Sequence, residues 1–165
     1  MFSQSLVFGT VAAAVVAWAA AEVLRSRAWW TAGAMLMAIH STTAFYVFYG
    51  GSHAIARELT MRQTAALTGI DFPGGIYVNY AFLAIWTADA AWRIFAPRSY
   101  ARRPRALTLA VHGFIFFIMV NGAVVFADGW ARILGAVAVS AVVLAWAARH
   151  VQRSRFEVQD LLRPR

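Results

Sequence analysis

Long apolar runs alternate with short polar breaks along the whole chain. Five runs, at about 5–24, 28–50, 74–96, 106–127 and 130–148, approach or exceed the ~20 residues that cross ~30 Å of hydrocarbon. The breaks carry turn chemistry: Arg25-Ser26-Arg27, Gly50-Gly51, Pro73-Gly74-Gly75, Pro97 with Pro104, and Asp128-Gly129. No stretch alternates apolar and polar residues as a membrane strand does. A bilayer satisfies no free backbone group, so helices are the reading that remains. The pattern predicts an all-α polytopic membrane protein: one bundle of five transmembrane helices over 1–150, then an Arg-rich tail at 151–165. Residues 52–68, "SHAIARELTMRQTAALT", form the one substantial loop. Helix formers fill it, Gly69 supplies a stop, and Glu58 and Arg62 stand i,i+4 in the favourable order. A short outer-surface helix is expected there, with Gly50 and Gly51 bending the chain away from the second span.

Charge sets the orientation. All fifteen basic residues apart from histidine are Arg, and the net charge is +8. In a soluble chain that balance suggests nucleic acid. Here twelve of the fifteen fall on one side of a five-span topology, and only Arg57, Arg62 and Arg132 on the other. The positive-inside rule then puts the N-terminus outside and the C-terminus in the cytoplasm of a bacterial inner membrane, with no nucleic acid as partner. Trp29, Trp30, Trp92, Trp130 and Trp146 fall near the run ends, where an aromatic belt would lie. No basic residue precedes Arg25 and the first run is long, so it reads as a retained helix rather than a signal peptide. Its Gly9, Ala13, Ala17 and Ala21 form a small-residue ridge suited to close helix approach.

Polar residues within the runs are the candidate chemistry, because each is costly in lipid and needs a partner. They concentrate in the second, third and fourth runs, leaving the first and fifth as packing. At 1.5 Å per residue, Asp89 and His112 lie about 10 and 9 Å from the inner ends of consecutive antiparallel helices. They are expected to pair, with Arg93 one turn below Asp89. His40 sits at about 18 Å, and Tyr46, Asn79, Tyr80 and Asn121 at roughly 22–27 Å. His40 thus links a charged layer to a neutral polar one, and is expected to reach toward Asp89 or the Asn79 layer. These seven residues are the candidates for a ligand, ion or proton path. The competing reading gives them only a packing role, through interhelical hydrogen bonds worth ~0.6 kcal/mol each.

Other chemistries have less behind them. A b-type haem between two histidines would use His40 and His112, but their heights differ by about 9 Å, and the axial ligands of an upright haem are nearly level. An outer metal site would draw on His53, Glu58 and Asp71, yet His53 and Glu58 stand i,i+5, which a helix turns apart. His150 belongs to the solvated tail. There is no cysteine, no G-x-S-x-G elbow and no phosphate-cradling glycine pattern, so no enzyme class is indicated. Tyr77, Asn79 and Tyr80 at the outer mouth suit a headgroup or a hydrophobic ligand. Size and run count resemble those of the small tryptophan-rich porphyrin- and sterol-binding membrane proteins. Their Trp/Pro-rich connection is missing here, so nothing of their function is carried over. The expectation is a protein that binds or moves a small ligand, ion or proton, assembled as a homo-oligomer or with partner membrane subunits. The alternative is an accessory subunit of a larger membrane complex, in a redox version with haem.

Overall fold

The structure, a computed structural model, describes residues 3–161, with side chains through 152 and at Ser154. It is helical, with no strand among the described residues. The elements are α1 (Gln4–Leu24), α2 (Arg27–Tyr49), α3 (His53–Thr68), α4 (Gly75–Phe95), α5 (Pro97–Ala101), α6 (Arg105–Val120), a π turn over Asn121–Val125, and α7 (Gly129–Leu161). Each apolar run has become one long helix, and 52–68 has become α3. Of the tail at 151–165, the backbone continues α7 to Leu161 and residues 162–165 lie outside the described residues.

Local chemistry places the ends. Ser3, Ser26 and Ser52 each accept a hydrogen bond from the backbone N–H three residues on, capping α1, α2 and α3. Gly50 and Gly51 both take positive φ, 57° and 74°, which turns the chain from α2 into α3. Pro97 opens α5, where its missing N–H costs nothing.

The five long helices form a ring in the order α1, α2, α4, α6, α7, closed by α7 against α1. α3 lies across one end, on α2 and α4. The middle is filled by Trp18, Trp86 and Ile115, all at most 1% exposed, with Ala14, Ala34, Met37, Phe82, Met119 and Val142 around them. Close approach is bought by glycine at two places. A Cβ on Gly33 would stand 2.7 Å from the Trp86 ring, and one on Gly135 would run into the Ala123 carbonyl of the π turn. The ridge read from the sequence is only half used: Ala17 and Ala21 are buried, whereas Gly9 and Ala13 face outward. The packed face of α1 is instead Val7, Thr10, Ala14, Ala17, Trp18, Ala21 and Glu22, because helical rotation at 3.6 residues drifts off a strict i+4 row.

Three helices are long and apolar enough to cross a membrane: α1, residues 105–125 of α6 with its π turn, and Gly129–Gln152 of α7. With 23 and 21 residues, α2 and α4 have the length. They fall short in apolar character because His40, Ser41, Thr42, Thr43, Asn79, Thr87, Asp89 and several Tyr and Trp residues stand in them.

Candidate functional site

The antiparallel order brings the C-terminal ends of α1, α4 and the apolar part of α7 together with the N-terminal ends of α2 and α6. Here a connected set of side chains spans the whole ring. Asp89, with its side chain 3% exposed, forms an ion pair with Arg103, itself 5% exposed. The same carboxylate accepts from Trp30 Nε1 at 2.9 Å and from the Tyr100 hydroxyl at 3.2 Å. Arg93 donates to Tyr100 at 2.6 Å, and its guanidinium also lies over the Trp30 ring. On the far side of Arg103 stands His112, 3.5 Å away through Nε2. His112 Nδ1 meets Glu22 at 2.6 Å, and Trp146 Nε1 donates to the other Glu22 oxygen at 3.1 Å. Trp30 stacks on the His112 ring, centroids 4.5 Å apart. Burial pushes the Tyr100 hydroxyl above its ordinary range; the Arg93 hydrogen bond pulls it back and the Asp89 charge adds to the rise.

Two expectations change here. Asp89 and His112 do not pair directly. Arg103 sits between them, Asp89 holding it by charge, and the acid on His112 is Glu22 from α1. The first helix is therefore part of the polar core. Trp30 and Trp146 point inward as donors to these carboxylates, whereas Trp29 and Trp130 are exposed at 45% and 62%, as a belt requires.

Above this network opens a cavity of about 760 Å³, lined by Arg25, Arg27, Arg93, Arg103 and Arg149 together with Glu22 and His112. Five guanidinium groups face two carboxylates, Glu22 and Asp89, a surplus of three positive charges before His112 is counted. Arg25, Arg27, Arg93 and Arg149 have no carboxylate partner among the described residues, Arg93 being held by the Tyr100 hydroxyl. A basin so charged attracts anions.

His40 lies elsewhere. It is ten residues beyond Trp30 on α2, about 15 Å along the axis. Its Nδ1 is 3.0 Å from the Val7 carbonyl of α1, not near Asp89. Since His112 is stacked on Trp30, the same ~15 Å separates the two histidines, too far for one haem between them. His40, Tyr46, Asn79 and Tyr80 do share a second cavity, about 540 Å³, toward the α3 end. Asn121 does not join them: its amide donates to Phe117 on its own helix at 2.7 Å. Between the two cavities lies the layer of Trp18, Trp86, Ile115 and Met119, in which Trp86 Nε1 is buried without a partner. No hydrogen bond among the described residues joins His40 to Asp89 or His112, so His40 does not link the two layers.

The outer residues are also used differently. His53 Nδ1 and Nε2 face the hydroxyls of Tyr80 and Tyr77 at 3.0 and 3.4 Å, tying α3 to α4. Glu58 pairs with Arg62 at 2.8 Å. His53, Glu58 and Asp71 are not gathered, and no metal-ligating cluster of three occurs among the described residues.

No family model, curated protein or solved structure matches the chain. Three residues of the network escaped the sequence reading. Glu22 closes an apolar run beside Arg25, where an acid reads as interfacial. Arg103 and Tyr100 lie in a connection whose arginines read as topological. The available signal for Glu22 was its solitude: it is the one acid in a run otherwise without charge.

Proposed function

We propose that this chain is a five-span protein of a bacterial inner membrane that binds a small phosphate- or carboxylate-bearing ligand in the arginine-lined basin at its cytoplasmic end. The observation that carries the reading is the basin's unspent charge. Asp89 and Glu22 are engaged by Arg103 and His112, and Arg93 by the Tyr100 hydroxyl, which leaves Arg25, Arg27 and Arg149 for an incoming anion. Guanidinium forks suit both anions. Counting α2 and α4 as spans is supported by their length, by their place between apolar helices in an up-and-down ring, and by the inward hydrogen bonds of Trp30 and Asp89. The Arg asymmetry supports a cytoplasmic basin. Binding is favoured over conduction, because the Trp18–Trp86–Ile115 layer offers no titratable group between the cavities.

The test is calorimetric titration of the delipidated protein with inorganic phosphate and with citrate, repeated on Arg27→Gln and Arg149→Gln. Saturable binding that weakens in both variants and falls with salt is the expected result. A parallel arm in nanodiscs with and without phosphatidic acid separates a lipid headgroup from a free anion, since a bound headgroup competes with phosphate. Absence of binding in both arms overturns the proposal. Reporter fusions after Arg103 and at the C-terminus should report cytoplasm, and a fusion within 60–68 the opposite side.

A second reading, an accessory subunit or homo-oligomer, draws on α6 and α7. Only 11% and 17% of their apolar windows are buried, against 39% for α1. A monomer mass in mild detergent and in native membranes counts against it. Its redox version has lost its geometric basis, with His40 and His112 apart.

A further inference from the structure

The second cavity carries a separate assignment. We propose that it binds a lipid-soluble alcohol or phenol whose hydroxyl donates to His40 Nε2.

His40 Nδ1 stands 3.0 Å from the Val7 carbonyl, which only accepts, so the ring proton must be on Nδ1. The other nitrogen of the neutral ring is then a bare acceptor. Nε2 has no partner among the described residues and is not sealed in the protein. His40 lines the cavity. An acceptor fixed in this way takes an O–H or N–H donor and repels a carbonyl or ether oxygen.

The level of the second polar group follows from the Trp30–Asp89 hydrogen bond, which sets the register of α2 against α4. His40 is ten residues beyond Trp30, and Asn79 is ten residues before Asp89 on the antiparallel helix. Both lie about 15 Å from that bond, so they face the cavity at one height. Asn79 has no side-chain hydrogen bond among the described residues, and Ser41 beside His40 has none either. Thr42 and three tyrosines, Tyr46, Tyr49 and Tyr80, also line the cavity, and the remainder of the wall is apolar, with Val11, Val15, Met37, Phe82, Leu83 and Met119 among it. Polar groups left open in an apolar pocket at membrane depth need a partner. The volume, about 540 Å³, lies in the range of small-molecule pockets. An apolar body with a hydroxyl at one end satisfies His40, and Asn79 can hold a second oxygen across the ring. The site does not depend on the arginine basin, from which the buried Trp layer separates it.

The experiment uses the full chain in phosphatidylcholine nanodiscs, with 4-octylphenol as probe and its methyl ether as control, titrated calorimetrically against empty nanodiscs. The phenol should bind saturably at one site, and the ether about tenfold more weakly, as losing one hydrogen bond to a buried acceptor requires. His40→Leu should bring phenol affinity down to that of the ether, while Arg149→Gln leaves it unchanged. Equal affinity for phenol and ether, or unaltered phenol binding in a folded His40→Leu protein, overturns the assignment and makes the cavity a site for acyl chains. Failure of the phenol to bind the parent overturns it outright. If His40→Leu does not insert, the phenol and ether comparison on the parent decides alone.

Discussion

Replacing Asp89 by Ala should be among the most damaging single changes in the bundle. Asp89 is 4% exposed and serves Arg103, Trp30 Nε1 and the Tyr100 hydroxyl at once. The Ala variant leaves the Arg103 guanidinium, 5% exposed, without its counter-charge. Breaking a buried pair from one side costs about 3–5 kcal/mol. The Trp30 N–H, in a residue 1% exposed, also loses its acceptor, worth about 1–3 kcal/mol. These overlap, so a total of about 4–6 kcal/mol is expected. Asp89→Asn keeps an acceptor for Trp30 but not the charge, and should cost about 2–3 kcal/mol. The informative variant is the double change Asp89→Leu with Arg103→Met. Removing both charges together leaves none uncompensated, and stability should return to within about 2 kcal/mol of the parent. The assay is reversible unfolding in mixed micelles by added dodecyl sulfate, followed through the emission of the seven tryptophans. A loss below about 1 kcal/mol for Asp89→Ala would mean the guanidinium reaches water, and the buried-pair reasoning would fail. A double variant as unstable as the sum of its singles would refute the coupling.

Further outcomes follow from the same geometry. In double-mutant cycles, His112→Ala should couple to Glu22→Ala by about 1–3 kcal/mol and to Asp89→Ala by less, since of the two acids Glu22 alone touches the ring. Gly33→Ala and Gly135→Ala should each destabilise by about 1–3 kcal/mol through overpacking against Trp86 and the Ala123 backbone, whereas Gly113→Ala, with open space around it, should be neutral or better. The Tyr100 hydroxyl, raised by burial, should ionise late in a titration followed at 295 nm, seen as the difference between parent and Tyr100→Phe. Because the folded protein holds that proton more tightly than the unfolded chain, the contribution to stability is full below about pH 10 and is lost as pH rises through the folded value.

The helices were legible because apolar runs of spanning length and glycine, proline and serine breaks are local signals. Ser26 and Ser52 cap where the sequence breaks, and Gly69 ends α3 with φ 72°. The π turn at Asn121–Val125 was not legible, because it answers to the close approach of Ala123 to Gly135 on the neighbouring α7. The network was half legible. Asp89 and His112 stood out as polar groups in apolar runs, but depth along separate helices does not fix rotation about them. Rotation turned Asp89 to Trp30 and Arg103, and brought Glu22 round to His112. Trp30 shows the same limit: its place near a run end suits a belt residue, yet its N–H is the donor that Asp89 needs.

The central claim, that the basin holds an anion, is tested most directly by diffraction from crystals soaked in tungstate, a heavy oxyanion, with anomalous differences mapped. The expected result is a peak between Arg25, Arg27 and Arg149, absent from crystals of the Arg27→Gln, Arg149→Gln double variant. An empty basin in the parent, or a peak only at lattice contacts or along the exposed Arg98, Arg102 and Arg105, would contradict the account.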